Sequence, residues 1–474
     1  MSDTERRLVV VSNRLPIRIF EEEGGGKSVR VSPGGLVTAL TPILERQRGT
    51  WIGWVGGEED DEIRGLIRQA SDDLPYDIKS VPLSEGEVET YYRGFSNETI
   101  WPLFHDLLGY AKFEKPNWES YFEINERFAR KAAEAVESSS DLIWIQDYQL
   151  LLVAHHLRRM GIENPLAHFL HIPFPTPDLF RRLPWRREVI KGLLKFDLLG
   201  FQTLRDRRNF VACVRDMQPN ARIEIGRRVT SITSDGGRVV KIGNWPISID
   251  YNDFNQAASS REAAQAAWYF HEHYERRKIV LGVDRLDYTK GIPERMLAFE
   301  RLLEKYPECR GKVCLHQIVV PSRTHVPDYQ DLKSLLDTLV GRINGRFTAP
   351  GYVPIHYLYR SLNRVDLIGR YKASEIALIT PLRDGMNLVC KEYCASKTDN
   401  EGILVLSEFA GAAEQMAKGA LMVNPFDQEG VVDALHRAIS MPYQERIERM
   451  QRLRAEVRRN DVHRWAAGLL GALN

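Results

Sequence analysis

Short apolar runs, each followed by a polar segment and then by a helix-like stretch, recur along the chain. One run, residues 376–382 (IALITPL), ends abruptly in Arg383-Asp384-Gly385. Another, residues 280–283 (VLGV), is followed by the polar segment 284–291 (DRLDYTKG). Buried strands that alternate with helices are typical of a parallel sheet covered by helices. The pattern therefore predicts an α/β fold.

This alternation stops and restarts once. Between Ile225 and Trp245 the segments become short and rich in turns, and a second α/β region begins after them. At 474 residues the chain is too long for one ordinary core, and roughly 150 residues per domain suggests two or three domains. We therefore predict a first domain over residues 1–248, a second over 249–455 and a C-terminal helix over 456–474.

Several predicted strands end in polar or charged residues. The strand ends are Ser12-Asn13-Arg14, Gln146-Asp147, His171, Asp284-Arg285, Pro321-Ser322-Arg323 and Arg383-Asp384. Each alone could be a solvated loop charge or a helix cap. An open parallel sheet binds its ligands at the carboxyl ends of its strands, so their recurrence predicts a binding site there. A carboxylate, fixed cations and a helix N-terminus would suit a sugar diphosphate.

Composition and motif content argue against several classes of protein. The formal net charge of +1 gives no bulk field for nucleic acid or an anionic membrane, so anion binding must be local. No signal-like region begins the sequence, and no apolar stretch approaches the ~20 residues that span a bilayer. The 5 cysteines are odd in number and form no CxxC pair, which argues against a disulfide framework or structural zinc and favours a reducing cytoplasm. The 12 histidines likewise show no metal spacing. Neither a Walker A sequence nor GxGxxG occurs, which argues against a phosphate-loop ATPase and a dinucleotide dehydrogenase.

Motifs in a fixed order resemble trehalose-6-phosphate synthases. They are residues 12–16 (SNRLP), 144–148 (WIQDY), 171–175 (HIPFP), 285–291 (RLDYTKG) and 383–388 (RDGMNL). The likeness runs over nearly the whole chain. It implies two Rossmann-like domains facing across a cleft (the GT-B type), with the last helix returning to the first domain. It also implies transfer of glucose from UDP-glucose to glucose 6-phosphate with retention, giving trehalose 6-phosphate and UDP.

The resemblance assigns donor-side roles residue by residue. Arg285 and Lys290 would neutralise charge on the departing UDP, while Asp384 and His171 would hydrogen-bond the transferred glucose. These four residues form the predicted catalytic set. Glu392 would accept both ribose hydroxyls. The other predicted donor-binding residues are Gly34 and Gly35, which would close over the donor, Leu362 beside the uracil, and the backbone of Leu388, Val389, Cys390 and Lys391.

Acceptor-side roles follow in the same way. Arg14 and Arg323 match a phosphate clamp, for which the planar guanidinium is well suited. Tyr92 would share that contact, and Asp147 would hold acceptor hydroxyls. Two further residues would shape the pocket for the α anomer, namely Trp101 and Ile172.

The sequence departs from the family pattern on either side of Asp147. Gln146 and Gln149 stand where histidines are common, so a titrating role at those two positions is ruled out. Because Asp147 itself is kept, the expectation for acceptor binding remains.

The resemblance further implies same-face substitution without a covalent nucleophile. No metal or cofactor would be required, because two side-chain cations can replace the ion usually bound to a diphosphate. The expected partners are the two substrates and a second copy of the chain (a dimer or tetramer), with no nucleic acid and no membrane. The nucleotide of the donor stays open between UDP, GDP and ADP.

Three alternatives remain. A sister enzyme could use another phosphorylated acceptor, as a glucosylglycerol-phosphate synthase or a cyclitol-phosphate enzyme does, but Arg14, Tyr92 and Arg323 favour glucose 6-phosphate. A noncatalytic regulatory relative would have lost cleft residues, which this chain keeps. A sugar-nucleotide epimerase has no need for an acceptor phosphate clamp.

Overall fold

The computed structural model describes residues 6–21, 26–31, 35–274, 277–323 and 326–473. The chain separates into two units: unit 1 comprises Met1–Ile247 with His463–Asn474, and unit 2 comprises Ser248–Val462. The predicted division after residue 455 falls inside a continuous helix of unit 2, Tyr443–Arg459, so the chain rejoins unit 1 only from His463.

Unit 1 is built on a mostly parallel sheet. Its described strands are β1 Leu8–Arg14, β2 Ile17–Glu21, β3 Lys27–Val31, β4 Thr50–Trp54, β5 Asp77–Ser80, β6 Leu142–Gln146, β7 Leu166–Phe169, β8 Leu198–Phe201, β9 Arg222–Ile225, β10 Val229–Thr233 and β11 Val239–Asn244. The sheet order is β5-β4-β1-β6-β7-β8-β11-β10-β9, and β2 pairs with β3 in a separate hairpin. The turn-rich segment noted in the sequence forms the antiparallel edge β9-β10-β11.

Helices cover this sheet. They are α1 Gly35–Gln47, α2 Asp61–Asp73, α3 Glu85–Glu87, α4 Trp101–Phe104, α5 Lys115–Ala133, α6 Val153–Arg159, α7 Pro177–Phe180, α8 Arg186–Leu193 and α9 Leu204–Met217. Thr203 and Asp206 form a reciprocal capping box that starts α9. The segment Val88–Ile100 has π-helical geometry, which is rare and often marks functional sites. Leu108–Tyr110 and Tyr148–Leu150 are 3₁₀ turns.

Unit 2 is built on a parallel sheet of order β14-β13-β12-β15-β16-β17. Its strands are β12 Lys278–Arg285, β13 Val313–Val320, β14 Ile355–Tyr359, β15 Ile376–Ile379, β16 Ile403–Ser407 and β17 Leu421–Val423. Its helices are α10 Tyr251–Ala258, α11 Arg261–His273, α12 Ile292–Lys305, α13 Pro327–Phe347, α14 Arg364–Ala373, α15 Val389–Ser396, α16 Ala413–Met416, α17 Gln428–Ser440 and α18 Tyr443–Arg459, with 3₁₀ turns at Tyr288–Lys290 and Pro307–Cys309.

Both units share one strand order. Counted along the chain within each unit, the first six parallel strands lie in the order 3-2-1-4-5-6, which is that of a dinucleotide-binding Rossmann fold, and in unit 1 β11 adds a seventh strand parallel to β8. Their near-continuous apolar runs, such as residues 8–11, suit parallel strands buried on both faces. The predicted pair of Rossmann-like domains is therefore confirmed.

The last helix, α19 Val462–Gly471, packs in unit 1. The ring of Trp465 lies 5.3 Å from that of Trp144 and 5.0 Å from that of Phe169, centroid to centroid. Lys241 Nζ also donates to the carbonyl of Ala472 at 3.0 Å. These contacts confirm the predicted return of the C-terminus to the first domain. Within the ranges that the structure describes, no helix is both long and apolar enough to cross a bilayer.

Candidate active site

In unit 2 the strand order reverses between β12 and β15, and open α/β sheets bind ligands at such reversals. Arg285 ends β12 and is exposed, and Lys290 follows in a 3₁₀ turn. Asp384 follows β15. The Lys290 Nζ atom lies 2.6 Å from Asp384 Oδ2, which joins residues 94 positions apart. The structure thus brings together Lys290 and Asp384, which follow two different strands, while Arg285 ends the strand that precedes Lys290.

The loops after β12 and β15 are also tied by their backbones. The N–H of Leu382 donates to the carbonyl of Thr289 at 2.8 Å, so the apolar run 376–382 leaves the sheet after Ile379. Gly291 has a φ of +61°, and a Cβ there would lie 2.2 Å from the carbonyl oxygen of Thr380. Only glycine fits this close approach.

A buried network that the sequence did not reveal lies beneath this pair. Arg295 on α12 is 0% exposed and forms an ion pair with Asp284 of β12. Its guanidinium also donates to Gln317 Oε1 at 3.1 Å and to the carbonyl of Lys290 at 3.3 Å. One signal was available: Gly282 interrupts β12, and a Cβ there would lie 2.2 Å from Gln317 Oε1 and 2.7 Å from Arg295 Nη1.

The N-terminus of α15 follows the loop of Asp384. Asn387, with a φ of +79°, accepts the N–H of Cys390 on its Oδ1 at 3.1 Å. Among the described residues, the N–H groups of Leu388 and Val389 enter no hydrogen bond, so this helix start can receive an anion.

The side chains of the next two residues of α15, Cys390 and Lys391, are buried inside unit 2. Cys390 and Lys391 are 0% and 1% exposed, and Lys391 Nζ donates to Gln415 Oε1 at 2.7 Å. Burial lowers the pKa of Lys391 to about 8. Any contact of these two residues with a ligand would therefore come from their backbone.

Glu392 lies one turn into α15 and is half-buried. Its Oε2 accepts the hydroxyl of Tyr371, on α14, at 2.8 Å. Burial raises the pKa of the Glu392 carboxyl, while the hydrogen bond from Tyr371 and the charge of Arg364 lower it. Leu362 is half-buried and lies just before α14.

Arg323 follows β13 and has a φ of +49°. Its guanidinium donates to the hydroxyl of Tyr329 and lies 4.0 Å from Asp287 Oδ2. The charges of Arg323, Lys290 and Arg285 outweigh burial and lower the pKa of Asp287. Unit 2 thus holds its predicted cations close to carboxylates.

Unit 1 has its own strand reversal, between β1 and β6. Arg14 ends β1, and its guanidinium carbon lies 4.1 Å from the centroid of the Trp54 ring and 5.7 Å from that of Tyr92. Tyr92 projects from the π-helical segment. A Cβ at Gly56, whose φ is +107°, would lie 1.5 Å from Arg14 Nη1, so glycine makes room for the guanidinium. Cation–π contacts of this kind fix a charge without neutralising it.

Asp147, His171 and Gln146 meet at the ends of β6 and β7. Asp147, with a φ of +71°, accepts the N–H of His171 on Oδ1 at 3.1 Å. The His171 Nε2 atom lies 3.0 Å from Gln146 Oε1. Burial lowers the pKa of His171 to about 3, so the ring is neutral. With the Gln146 amide in this orientation His171 Nε2 carries the proton and Nδ1 is left as an acceptor, because an amide oxygen can only accept.

The remaining predicted residues of unit 1 are buried or lie at its edge. Ile172 and Trp101 are 4% and 6% exposed, and the Trp101 ring lies 4.2 Å from that of His105. Gly35 begins α1, whereas Gly34 lies outside the described residues. The anomer-selecting role of Trp101 and Ile172 stays a prediction. In the described ranges no cluster of three or more His, Cys, Asp or Glu side chains could hold a metal ion.

The model of Glycosyltransferase family 20 matches residues 6–474. The chain belongs to glycosyltransferase family 20. One curated relative is alpha,alpha-trehalose-phosphate synthase [UDP-forming] A of Dictyostelium discoideum. It is 40% identical over 99% of this chain, which spans 62% of that relative's length.

Two solved structures extend the likeness. One is described as trehalose-6-phosphate from E. coli bound with UDP-2-fluoro glucose, with 37% identity, a TM-score of 0.87 and coverage of 98% of each chain. The other is an alpha,alpha-trehalose-phosphate synthase (UDP-forming) from Burkholderia xenovorans in complex with glucose-6-phosphate. It is 34% identical, with a TM-score of 0.87 and coverage of 98% of this chain and 99% of that chain.

Proposed function

We propose that this family-20 chain is an α,α-trehalose-phosphate synthase that transfers glucose from UDP-glucose to glucose 6-phosphate. The products are trehalose 6-phosphate and UDP, and the α configuration is retained. The observation that carries the proposal is the pairing of Lys290 with Asp384 at the strand reversal of unit 2. The relatives support the substrates, since one is named UDP-forming and two solved structures hold a UDP-glucose analogue and glucose-6-phosphate.

On the donor side, Arg285 and Lys290 bind the diphosphate and stabilise the charge that builds on departing UDP. They take the place of a metal ion, so the reaction needs no cofactor. Asp384 accepts a hydroxyl of the transferred glucose while Lys290 keeps the carboxylate fixed. The start of α15, at Leu388 and Val389, adds backbone N–H groups.

On the acceptor side, Arg14, Tyr92 and Arg323 carry phosphate recognition. Arg14 is held by ring faces, so its whole charge remains available to a phosphate. Asp147 holds acceptor hydroxyls, and the neutral His171 offers Nδ1 as an acceptor for a hydroxyl of the transferred glucose.

The chemical step is a same-face substitution. The bond from the anomeric carbon to the UDP oxygen breaks and its electron pair stays on the phosphate. The acceptor's anomeric hydroxyl oxygen bonds to that carbon from the same face, and its proton passes to the departing phosphate oxygen. A double displacement would need two carboxylates about 5 Å apart with one free to attack. In this proposal Asp384 binds a glucose hydroxyl while paired with Lys290, and no second carboxylate is assigned to attack the sugar.

We also propose that the enzyme acts as a homo-oligomer in the cytoplasm. All five cysteines are free and buried, which suits a reducing compartment.

The experiment measures the rate at which nucleoside diphosphate is released from UDP-, GDP- or ADP-glucose. Each donor is tested with glucose 6-phosphate, glycerol 3-phosphate or glucose as acceptor. We expect UDP-glucose with glucose 6-phosphate to give the highest kcat/KM, and the coupling constants of the two anomeric protons of the product to show that both anomeric centres are α. Preference for glycerol 3-phosphate would assign the sister activity, and no release with any pair would assign the regulatory class.

A further inference from the structure

We propose that Tyr371 is a positioning residue that holds the Glu392 carboxylate for the two ribose hydroxyls of the donor, which makes the donor site selective for ribonucleotides. This rests on the proposed function, because it takes a nucleoside diphosphate sugar as the ligand. Neither residue pattern nor spacing pointed to Tyr371, which lies in the last turn of α14.

The geometry is a single directed hydrogen bond. Tyr371 is 0% exposed, and its hydroxyl lies 2.8 Å from Glu392 Oε2. An ionised carboxylate can only accept, so the phenol donates. Among the described residues the Glu392 carboxylate enters no other hydrogen bond, which leaves Oε1 and the second lone pair of Oε2 for a ligand.

This bond does two things for Glu392. It fixes one rotamer of a long, flexible side chain in the first turn of α15. It also favours the ionised form, because burial raises the pKa of this carboxyl while the hydrogen bond from Tyr371 lowers it. Arg364 is the other charged group that favours ionisation there. A fixed, ionised carboxylate can accept two neighbouring hydroxyls at once, and a nucleotide without them leaves it unsatisfied.

The test is the variant Tyr371→Phe with two probes, UDP and 2′,3′-dideoxy-UDP, whose Kd values are measured by calorimetry. The variant keeps the ring and loses only the hydroxyl. We expect wild-type enzyme to prefer UDP by at least about tenfold. In Tyr371→Phe the Kd for UDP should rise by about tenfold while that for dideoxy-UDP stays within about twofold. The KM for UDP-glucose should rise similarly, with the KM for glucose 6-phosphate and kcat almost unchanged.

A matched control is available next to Glu392. Tyr393 is also 0% exposed, but its hydroxyl donates within the core, to the carbonyls of Ser374 at 3.2 Å and Glu375 at 3.0 Å. Tyr393→Phe should lower the free energy of unfolding while keeping the preference for UDP. Equal weakening of both probes by Tyr371→Phe, or no weakening of UDP, would overturn the proposal.

A second variant covers the case in which Tyr371→Phe does not fold. Glu392→Asp keeps the charge but withdraws the carboxylate from Tyr371 by one methylene, and it should lose the preference for UDP. If it keeps that preference, the position set by Tyr371 does not matter and the proposal fails. Wild-type enzyme that binds neither probe would contradict the proposed function. Wild-type enzyme that binds both equally would refute only the ribose contact.

Discussion

The two units hold their candidate site residues by different means. In unit 2, Lys290 lies 2.6 Å from the carboxylate of Asp384, and Arg295 is paired with Asp284 in the layer beneath. In unit 1, Arg14 rests on the ring of Trp54, with no ion pair to a carboxylate among the residues described. Unit 2 therefore uses opposite charges where unit 1 uses neutral partners.

Because the partners differ, a substitution is expected to have a different effect in each unit. Removing one member of a partly buried ion pair leaves the other charge uncompensated, so the damage spreads beyond one lost contact with a ligand. Removing a group held by rings or amides leaves neutral neighbours. We therefore expect broad losses from variants of the ion-paired residues of unit 2 and losses confined to one substrate from unit 1 variants.

The largest effect is expected for Lys290→Met. It should lower kcat by about 100-fold or more, because the departing charge loses a cation and Asp384 loses its partner. The measurement is UDP release at saturating substrates. Arg285→Ala should behave similarly. Lys372→Met is the control, since Lys372 Nζ donates to a hydroxyl oxygen, Thr398 Oγ1 at 2.9 Å, and among the described residues forms no ion pair with Asp384. A kcat above a tenth of wild type in Lys290→Met would contradict the role of the pair.

The next effect is expected for Arg14→Ala. A charge-assisted hydrogen bond contributes about 1.5–3 kcal/mol, so kcat/KM for glucose 6-phosphate should fall by about 10- to 100-fold. The Kd for UDP should not change. Arg18→Ala removes a neighbouring exposed charge and should have little effect. The comparison between units breaks down if Arg14→Ala weakens UDP binding as much as it weakens acceptor use.

A smaller effect is expected for Gly56→Ala, which keeps the Arg14 side chain but displaces its guanidinium group. The new Cβ would meet Arg14 Nη1 at 1.5 Å and sit at a φ of +107°. The KM for glucose 6-phosphate should rise by roughly three- to tenfold, with the donor KM unchanged. Gly57→Ala is the control, because nothing lies within 4 Å of its Cβ position. Equal acceptor KM values in the two variants would show that the position of Arg14 is not limiting.

The smallest effect concerns pH and the neutral groups of unit 1. Burial lowers the pKa of His168 to about 4, and its Nε2 lies 3.0 Å from the carbonyl oxygen of Asp147. The folded pKa is below the unfolded value, so the unfolded chain gains the proton first and stability falls as pH falls through about 6.5. Between pH 7 and 6 this histidine should cost roughly 0.5–1 kcal/mol.

Urea unfolding at the two pH values measures this loss. His168→Gln should reduce the pH dependence, whatever its own stability. An unchanged pH dependence in His168→Gln would mean that unit 1 tolerates a charged histidine beside Asp147 and does not depend on neutral partners there.

The sequence identified the elements and their tips because that information is local. Apolar runs of strand length and apolar residues at helical spacing follow from the periods of the two structures. The polar residues after β1, β6, β12 and β15 stand at the strand reversals because parallel strands with right-handed crossovers put their carboxyl ends on one edge. Arg14, Asp147, Lys290 and Asp384 could thus be found before any coordinates.

The tertiary structure alone decided which of these residues touch and what holds them. Nothing local in the sequence indicates that Lys290 meets Asp384 or that the Tyr371 hydroxyl reaches Glu392, and Gly282 is the one local signal for the inward turn of Arg295. Each of these contacts joins two different elements or loops, and its geometry depends on how helices pack on the sheet. Local periodicity says which face of an element is buried, whereas the partner across that face is set by packing.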